Sequence, residues 1–291
     1  MNNLKNQTMN RREMLKLGTL GTGAVLAGPL STAFAGKSKD PYGGFKMGLQ
    51  SYSLRGFQVK EALKHTRTLG LSYWEAYPKH IPMGTLPKHI KEQKALLKNA
   101  GVTLLSYGVL SFDTNENKAR EAFDFAKAMG IVALSANPNK DKGTFDLLDK
   151  LVEEYDVAIA IHNHGPKAKY DTISDVEKMV KDRHPLIGAC VDTGHYIRSD
   201  EDPVEAIERL GKRVFGVHLK DVRTEVKDGK RDKHYTILGQ GDLNIAGTLK
   251  ALKKLDYQNA LCLENEENPK NPLSDIEVCL SEVRKAVKKI S

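Results

Sequence analysis

Cysteine is scarce in this chain of 291 residues, with only three, at positions 190, 262 and 279. They are too few and too widely spaced for a disulfide framework or a paired-cysteine zinc site. Beyond the N-terminus no apolar run approaches the ~20 residues that a spanning helix needs, which excludes a polytopic membrane protein. The composition, 40% hydrophobic and 28% charged, is close to the globular average and excludes a disordered or collagen-like chain.

The first 35 residues have the composition of an export signal. The pair Arg11 and Arg12 lies in a segment that resembles a twin-arginine motif, whose precursors are exported already folded. The uncharged stretch 17–35 follows and ends in the small-residue pattern Ala33–Ala35. We therefore predict cleavage before Gly36 and a periplasmic mature protein, with an uncleaved membrane anchor as the alternative. Three of the eight net positive charges lie in this segment, so the remainder is only mildly basic.

Eight short apolar runs recur along the rest of the chain, with amphipathic helical patterns between most of them. The runs are 45–50, 71–76, 102–107, 131–135, 157–162, 187–192, 214–218 and 260–264, and the clearest helical segments are 86–100, 118–129, 144–155, 174–182 and 203–210. This alternation predicts an α/β protein with parallel strands. Eight units without a GxGxxG turn favour a closed (β/α)8 TIM barrel over an open sheet, which stays the alternative. We assign residues 36–291 to one barrel domain. The gap before the eighth run contains a charged excursion, 221–234, and within it we interpret 227–233 as a solvated loop.

Polar residues end the last four apolar runs, where a TIM barrel places its chemistry. His162, Asp192, His218 and Glu264 end the fifth to eighth runs and would lie at comparable depth. Two imidazoles and two carboxylates suit one divalent ion such as Mn, Co, Zn or Fe, with Mg as a further option. Residues two apart share a strand face, so His164 is the alternative ligand on the fifth run.

The same strand ends offer groups for proton transfer next to a carbonyl. Glu264 is the candidate general base, although it could serve as a metal ligand alone. Lys220, two residues beyond His218, would stabilise a developing oxyanion or act as an acid. Tyr52 is one of several aromatic residues near the predicted mouth that could stack on a sugar ring, although aromatic residues at strand ends more often serve packing.

At this point the chain resembles the xylose-isomerase-like barrels, which include sugar-phosphate isomerases and epimerases, inosose dehydratases and endonuclease IV. The segments that carry the resemblance are Gly48–Arg55, Glu75, Asp192–His195, His218–Asp221, Leu238–Asp242 and Glu264. The resemblance implies that Asp192, His218 and Glu264 are metal ligands. It also implies that His195 and Arg223 contact substrate oxygens.

One position departs from the epimerase branch of that family. There, strand five ends in a glutamate that binds metal and moves protons, whereas this chain has His162. Glu264 then acts from one side, and His164 or Glu75 would have to supply the second group. We also place Glu75 and Tyr52 among the expected substrate contacts.

The expected activity is a divalent-metal-dependent isomerase or epimerase. Its substrate would be an unphosphorylated sugar or keto-sugar, because no strong phosphate cradle is visible. It would abstract a proton next to a carbonyl and stabilise the resulting enediolate on the metal. The alternative is a hydro-lyase that dehydrates or hydrates a keto-sugar or keto-glycoside at the same site, as inosose dehydratases do.

Two other classes fit less well. An endonuclease IV-like enzyme needs two or three metals with ligands on strands two to four, where Glu75 is the one good candidate. The basic residues of 227–233 alternate with acidic ones, so a nucleic acid is not an expected partner. A carbohydrate-binding protein without catalysis would bind sugar without metal. We expect a small carbohydrate as the partner and no stable membrane insertion after cleavage, and a homo-oligomer remains open.

Overall fold

The computed structural model describes residues 40–291, which contain a closed barrel of eight parallel strands. The barrel strands are β1 (Lys46–Gln50), β2 (Tyr73–Ala76), β3 (Thr103–Leu110), β4 (Ala133–Ala136), β5 (Ala158–His162), β6 (Ile187–Asp192), β7 (Val214–Leu219) and β10 (Ala260–Leu263). Strands β1 to β7 pair in chain order, and β10 closes the barrel between β7 and β1. The predicted (β/α)8 fold is confirmed. The predicted export signal lies outside the described residues.

Helices follow the strands and complete the repeated unit. They are α1 (Val59–Thr68), α2 (Pro87–Ala100), α3 (Glu116–Met129), α4 (Lys142–Tyr155), α5 (Ile173–Val180), α6 (Thr193–Arg198), α7 (Pro203–Leu210), α8 (Ile245–Lys254) and α9 (Leu273–Ile290). Proline occupies the first position of α2 and of α7, where a missing N–H costs nothing. Helices α2 and α3 end at Gly101 and Gly130 with φ of 66° and 78°, the left-handed conformation that glycine adopts without strain. The short α6 was not predicted. No helix in residues 40–291 combines the length and apolar character needed to cross a bilayer.

The barrel strands are buried on both faces, as parallel strands between a packed interior and outer helices must be. Ile159, Ile161 and Val191 are fully buried, which explains why these runs read as nearly continuous apolar sequence. Asp192 of β6 pairs with His218 of β7. On its other side His218 pairs with Cys262 of β10, two residues before Glu264. This register brings the polar strand ends to nearly the same level. The ends of β5, β6, β7 and β10 therefore meet at one end of the barrel.

The segment between β7 and β10 contains an antiparallel hairpin, so our interpretation of 227–233 as a loop was wrong. Strands β8 (Asp221–Lys227) and β9 (Lys230–Thr236) pair along their whole length. Asp228 and Gly229 connect them with φ of 52° and 73°. Two successive positive φ values define the tight turn that matches the twist of a hairpin.

Candidate metal centre and active site

Four side chains converge where β5, β6, β7 and β10 end. One ligand atom from each of His162, Asp192, His218 and Glu264 lies within 4.8 Å of the other three. Nε2 of His162 is 3.2 Å from Nδ1 of His218, and Oε2 of Glu264 is 3.4 Å from the same nitrogen. Of the two fifth-strand histidines, the structure thus brings His162 into this group, while His164 lies nearer the surface. We call these four residues the ligand quartet.

The chemistry of the quartet fits a divalent cation. Oδ1 of Asp192 accepts a hydrogen bond of 2.8 Å from the backbone N–H of His195, at the start of α6. Its Oδ2 is fully buried without a hydrogen bond, 3.6 Å from Nε2 of His162 and 3.7 Å from Nδ1 of His218. A buried carboxylate oxygen is costly without a partner, and a cation among these four groups would supply one. Two nitrogen and two oxygen donors suit Zn, Mn, Co or Fe better than Ca.

Lys220 brings a buried ammonium to the edge of the quartet. Its Nζ lies 3.1 Å from Oε2 of Glu264 and 3.6 Å from Oδ2 of Asp192, and it also contacts the carboxylate of Glu266. Burial alone would lower the pKa of Lys220, but Asp192, Glu264 and Glu266 outweigh it and raise that pKa well above its ordinary value. Burial likewise would raise the pKa of Glu264, but Lys220 and His218 bring it down to about 2. Lys220 is therefore a cation and Glu264 a carboxylate at neutral pH.

Glu75 lies behind His218, and this differs from its predicted place as a substrate contact. Its Oε1 is 3.1 Å from Nε2 of His218, a contact that lacks the angle of a good hydrogen bond. The Glu75 carboxylate also accepts hydrogen bonds from Gln50 at 2.8 Å and Ser106 at 2.9 Å. Only 1% of Glu75 is exposed, and it is not among the residues that line the cavity. It supports His218 from inside the barrel instead.

A cavity of about 300 Å³ opens over the quartet. Its lining residues are Gln50, Tyr52, Tyr77, Pro78, Gly108, Val109, His162, His164, His195, Lys220, Glu264 and Glu266. The rings of Tyr52 and Tyr77 meet edge to face with centroids 5.3 Å apart. Together with Pro78 and Val109 they give the cavity an apolar side, and His162, Glu264 and Lys220 give it a polar one. Such a combination suits a sugar, which has C–H faces as well as hydroxyl groups.

His164 and His195 both line this cavity, and their ring centroids are 4.3 Å apart. Burial lowers the pKa of His195 to about 2 against the opposing effect of Asp192, so its imidazole is neutral. Arg223, in contrast, is exposed on β8 and absent from the cavity lining. Its guanidinium donates to the backbone carbonyl of Gln240 at 2.6 Å and 2.9 Å, so the structure does not bring it to the predicted substrate position.

Asp221 explains why two of the motifs occur together. Its carboxylate accepts hydrogen bonds from the backbone N–H groups of Gly239, Gly241 and Leu243 at 2.8–3.0 Å. A Cβ atom at Gly241 would lie 2.4 Å from Oδ1 of Asp221, so glycine is required there. The His218–Asp221 and Leu238–Asp242 segments are thus one structural unit, which ties the loop after the hairpin to the end of β7.

Tyr77 was one of the aromatic residues expected near the mouth, and it lines the cavity. Other cavity residues were not expected from the sequence. Gln50 ends a strand that carries no metal ligand, so nothing in its spacing marks it. Glu266 was noted as a neighbour of Glu264 but given no role. Tyr235 reaches His195 from the hairpin, and the Asp228-Gly229 pair was a turn signal that could have revealed this element.

Comparison with known proteins agrees with the fold. The profile of the xylose isomerase-like TIM barrel family matches residues 63–282, and the chain belongs to that family. An inosose dehydratase of Clostridium botulinum is 30% identical over 233 residues, which are 64% of this chain and 78% of the relative. An inosose dehydratase of Clostridium tetani is 29% identical over 140 residues, 43% of this chain. That match spans about half of the relative, 47% of its length.

A solved structure described as the IolI protein with a bound zinc atom shares the fold. Its TM-score is 0.65 at 19% identity, and the match covers 85% of this chain and 99% of that one. At this identity the likeness extends to the barrel architecture alone. The zinc belongs to that protein, and the donor chemistry of His162, Asp192, His218 and Glu264 is what argues for a metal here.

Proposed function

We propose that the protein is a metal-dependent hydro-lyase that removes or adds water at a carbon next to a carbonyl in a keto-sugar or keto-glycoside. The observation that carries the proposal is the placement of its acid and base groups. Among the described residues lining the cavity, the carboxylates are Glu264 and Glu266, and both follow from the end of β10. Both contact the same ammonium, that of Lys220.

This one-sided arrangement suits elimination better than two-base epimerisation. A two-base epimerase needs a carboxylate on each face of the reacting carbon, and at the end of β5 this chain has His162. Elimination needs one group to take the C–H proton and a nearby acid to protonate the departing hydroxyl. Glu264 and Lys220, 3.1 Å apart, supply that pair.

Each group of residues has a separate role in the proposed reaction. His162, Asp192, His218 and Glu264 would hold a divalent cation, which when bound would supply Lewis-acid chemistry and so acidify a C–H next to the substrate carbonyl. Glu264 accepts the carbon-bound proton, and Lys220 donates a proton to the leaving hydroxyl, which departs as water. The proton on Glu264 then returns to Lys220 across their contact, which restores both groups. Tyr52 and Tyr77 hold the C–H face of the sugar.

An isomerase or epimerase remains the second candidate, because His164 and His195 line the same cavity as Glu264. Proton removal is common to all three reactions, and they differ in where a proton is next delivered. If His164 returned a proton to the neighbouring carbon or to the far face, the product would be an isomer or an epimer.

One experiment separates these outcomes. The full chain, loaded in turn with Zn, Mn, Co and Mg, is incubated in deuterated water with a panel of keto-inositols, keto-sugars and keto-glycosides. We expect a product that has lost or gained one water. Deuterium incorporated at carbon without loss or gain of water would overturn the hydro-lyase and support the isomerase or epimerase.

Matched variants locate the reaction in the proposed groups. Lys220→Met removes the acid and should lower turnover by about 10²–10⁴-fold, the usual contribution of a positioned proton donor. Glu225→Gln, on an exposed position of β8, is the control and should retain full turnover. Equal turnover in Lys220→Met and the parent would contradict the assigned role of Lys220.

A further inference from the structure

The hairpin docks on α6 through one face of β9. Arg231, Lys233 and Tyr235 are two residues apart and therefore share a strand face. Lys233 donates to the backbone carbonyl of Ile197 in α6 at 2.6 Å. Lys233 and Arg231 also contact the carboxylate of Asp200, two residues beyond the end of α6, at 2.6 Å and 3.0 Å. Because α6 also carries His195, the hairpin is fastened to an element that lines the cavity.

A chain of hydrogen bonds runs from the docked face to His195. Nη1 of Arg198 donates to the hydroxyl of Tyr235 at 2.7 Å. That hydroxyl lies 3.1 Å from Nδ1 of His195, and Nη1 of Arg198 lies 3.4 Å from the same nitrogen. The ring of Tyr235 also lies 4.6 Å from Nζ of Lys220. Tyr235 thus joins the hairpin to two cavity residues.

The direction of each hydrogen bond follows from the donor inventory. A guanidinium only donates, so the Tyr235 hydroxyl is the acceptor in its bond with Arg198. Its own single proton is then available for Nδ1 of His195. Nδ1 faces two donors and is an acceptor, and in a neutral imidazole the proton must be on the other nitrogen. Both side-chain hydrogen bonds of the His195 ring among the described residues are made by Nδ1, so Nε2 is left for a ligand of the cavity that the ring borders.

We propose that Tyr235 and Arg198 are positioning residues that fix His195 in the Nε2–H form, so that it donates a hydrogen bond to an acceptor oxygen of the substrate. The group recognised is a carbonyl or hydroxyl oxygen with a free lone pair. This inference rests on the proposed function for the identity of the substrate, but the state of His195 itself is measurable without one.

The decisive measurement is the tautomer of His195 by NMR. The full chain is labelled with ¹⁵N-histidine, and long-range ¹H–¹⁵N correlations are recorded without metal and with zinc. The signal missing from His195→Gln is assigned to His195. We expect the Nε2–H pattern in the parent protein. The Nδ1–H pattern in the parent would overturn the proposal before any hairpin variant is made.

Variants then test the two positioning residues. The double variant Tyr235→Phe with Arg198→Met should shift His195 to a tautomer mixture, while Tyr155→Phe, whose hydroxyl bonds Asp124 elsewhere, should leave it unchanged. An unchanged Nε2–H pattern in a folded double variant would refute the positioning role. If the double variant does not fold, Tyr235→Phe alone is measured and should weaken the Nε2–H preference; no change in it would count against Tyr235.

Kinetics supply a second readout that a purely structural role would not move. With the substrate found by the deuterium experiment, Tyr235→Phe should raise KM about five-fold, the loss of roughly one positioned hydrogen bond. Its zinc affinity should match the parent. A loss of zinc affinity together with kcat would point to a structural role and against positioning. If the protein has no hydro-lyase activity, the proposed function is wrong, but the NMR result on the tautomer of His195 is unaffected.

Discussion

At the scale of single residues, His218 shows how the barrel would orient a metal ligand. Its Nδ1 faces the quartet, 3.2 Å from Nε2 of His162, and its Nε2 faces Glu75 at 3.1 Å. The second nitrogen of a metal-binding histidine usually faces a carboxylate, which orients the ring. Glu75 occupies that place for His218, as a close ion-pair contact. Burial would raise the pKa of Glu75, but His218, Ser135 and Ser106 lower it, so Glu75 is the charged partner that this role requires.

Replacing Glu75 by glutamine should therefore weaken the metal site without removing a ligand. We expect zinc affinity to fall about 10–100-fold, the usual cost of losing such a supporting carboxylate. A competition titration against a chromophoric chelator measures it. Glu225→Gln on the exposed hairpin is the control, and an affinity equal to that of the parent in Glu75→Gln would contradict the supporting role.

The pattern of strand ends predicted most of the quartet but not the place of Glu75. Asp192, His218 and Glu264 end three neighbouring strands, so a shared level followed from the pattern, but strand parity puts His162 and His164 on one face and could not choose between them. The depth of Glu75 depends on how β2 is staggered against the others. The register shifts between Trp74 and Glu75 where β2 pairs with β3, and no spacing in the sequence marks such an irregularity.

At the scale of elements, α5 is held at its start by a capping box. The Thr172 side chain accepts from the backbone N–H of Asp175, and the Asp175 carboxylate accepts from the backbone N–H of Thr172 at 3.0 Å. Lys140 adds an ion pair to Asp175 at 2.6 Å. Burial would raise the pKa of Asp175, but Lys140 and Thr172 outweigh it and lower that pKa to about 2.

Asp175→Asn should destabilise the protein by about 1 kcal/mol at neutral pH, the typical value of a helix cap. The pKa of Asp175 is lower in the folded state, so its contribution is complete above the unfolded value of about 4. It is lost as the pH falls from about 4 to about 2, and the parent and the variant should converge there. Urea unfolding at pH 7 and near pH 3 measures both effects.

The control is Asp182→Asn, at an exposed position after α5. A difference in unfolding free energy between the parent and Asp175→Asn that is the same at both pH values would contradict the assignment.

The hairpin shows where element prediction failed and why. The alternating basic and acidic residues from Lys227 to Lys233 suggested solvent on every side, but long charged side chains also serve to dock one strand face on α6. The turn at Asp228 and Gly229 was the local signal. The partner of that face could not be predicted, because it depends on the tertiary placement of Asp200 and Arg198.

At the scale of the whole molecule, the eight-fold repetition made the barrel predictable, and the barrel in turn assembles the site. The quartet comes from four strands that span residues 158–264, so the ligands meet only when the barrel closes. Binding at such a site stabilises the folded state by mass action.

Zinc should therefore raise the free energy of unfolding, by about 2.7 kcal/mol at 100 times its Kd. Chelation should remove this gain. In Asp192→Asn, which lacks the charge at the buried oxygen, the zinc-dependent gain should vanish, whereas Asp182→Asn should keep it. Thermal melts with and without zinc measure the difference. A zinc-dependent gain of parent size in Asp192→Asn would mean that the ion binds elsewhere.

Because the four quartet residues meet only in the folded barrel, the predicted export route matters for metal binding. A route that carries folded proteins would let the quartet take up its metal before the chain leaves the cytoplasm. We expect Arg11→Lys with Arg12→Lys to trap the full-length precursor inside a bacterial host that has a twin-arginine translocase. The parent should appear outside with Gly36 as its first residue, and Lys16→Arg is the control. Fractionation followed by intact-mass analysis reads out both the location and the N-terminus. Undiminished export of the double variant, or a parent N-terminus that begins elsewhere, would reject the twin-arginine assignment.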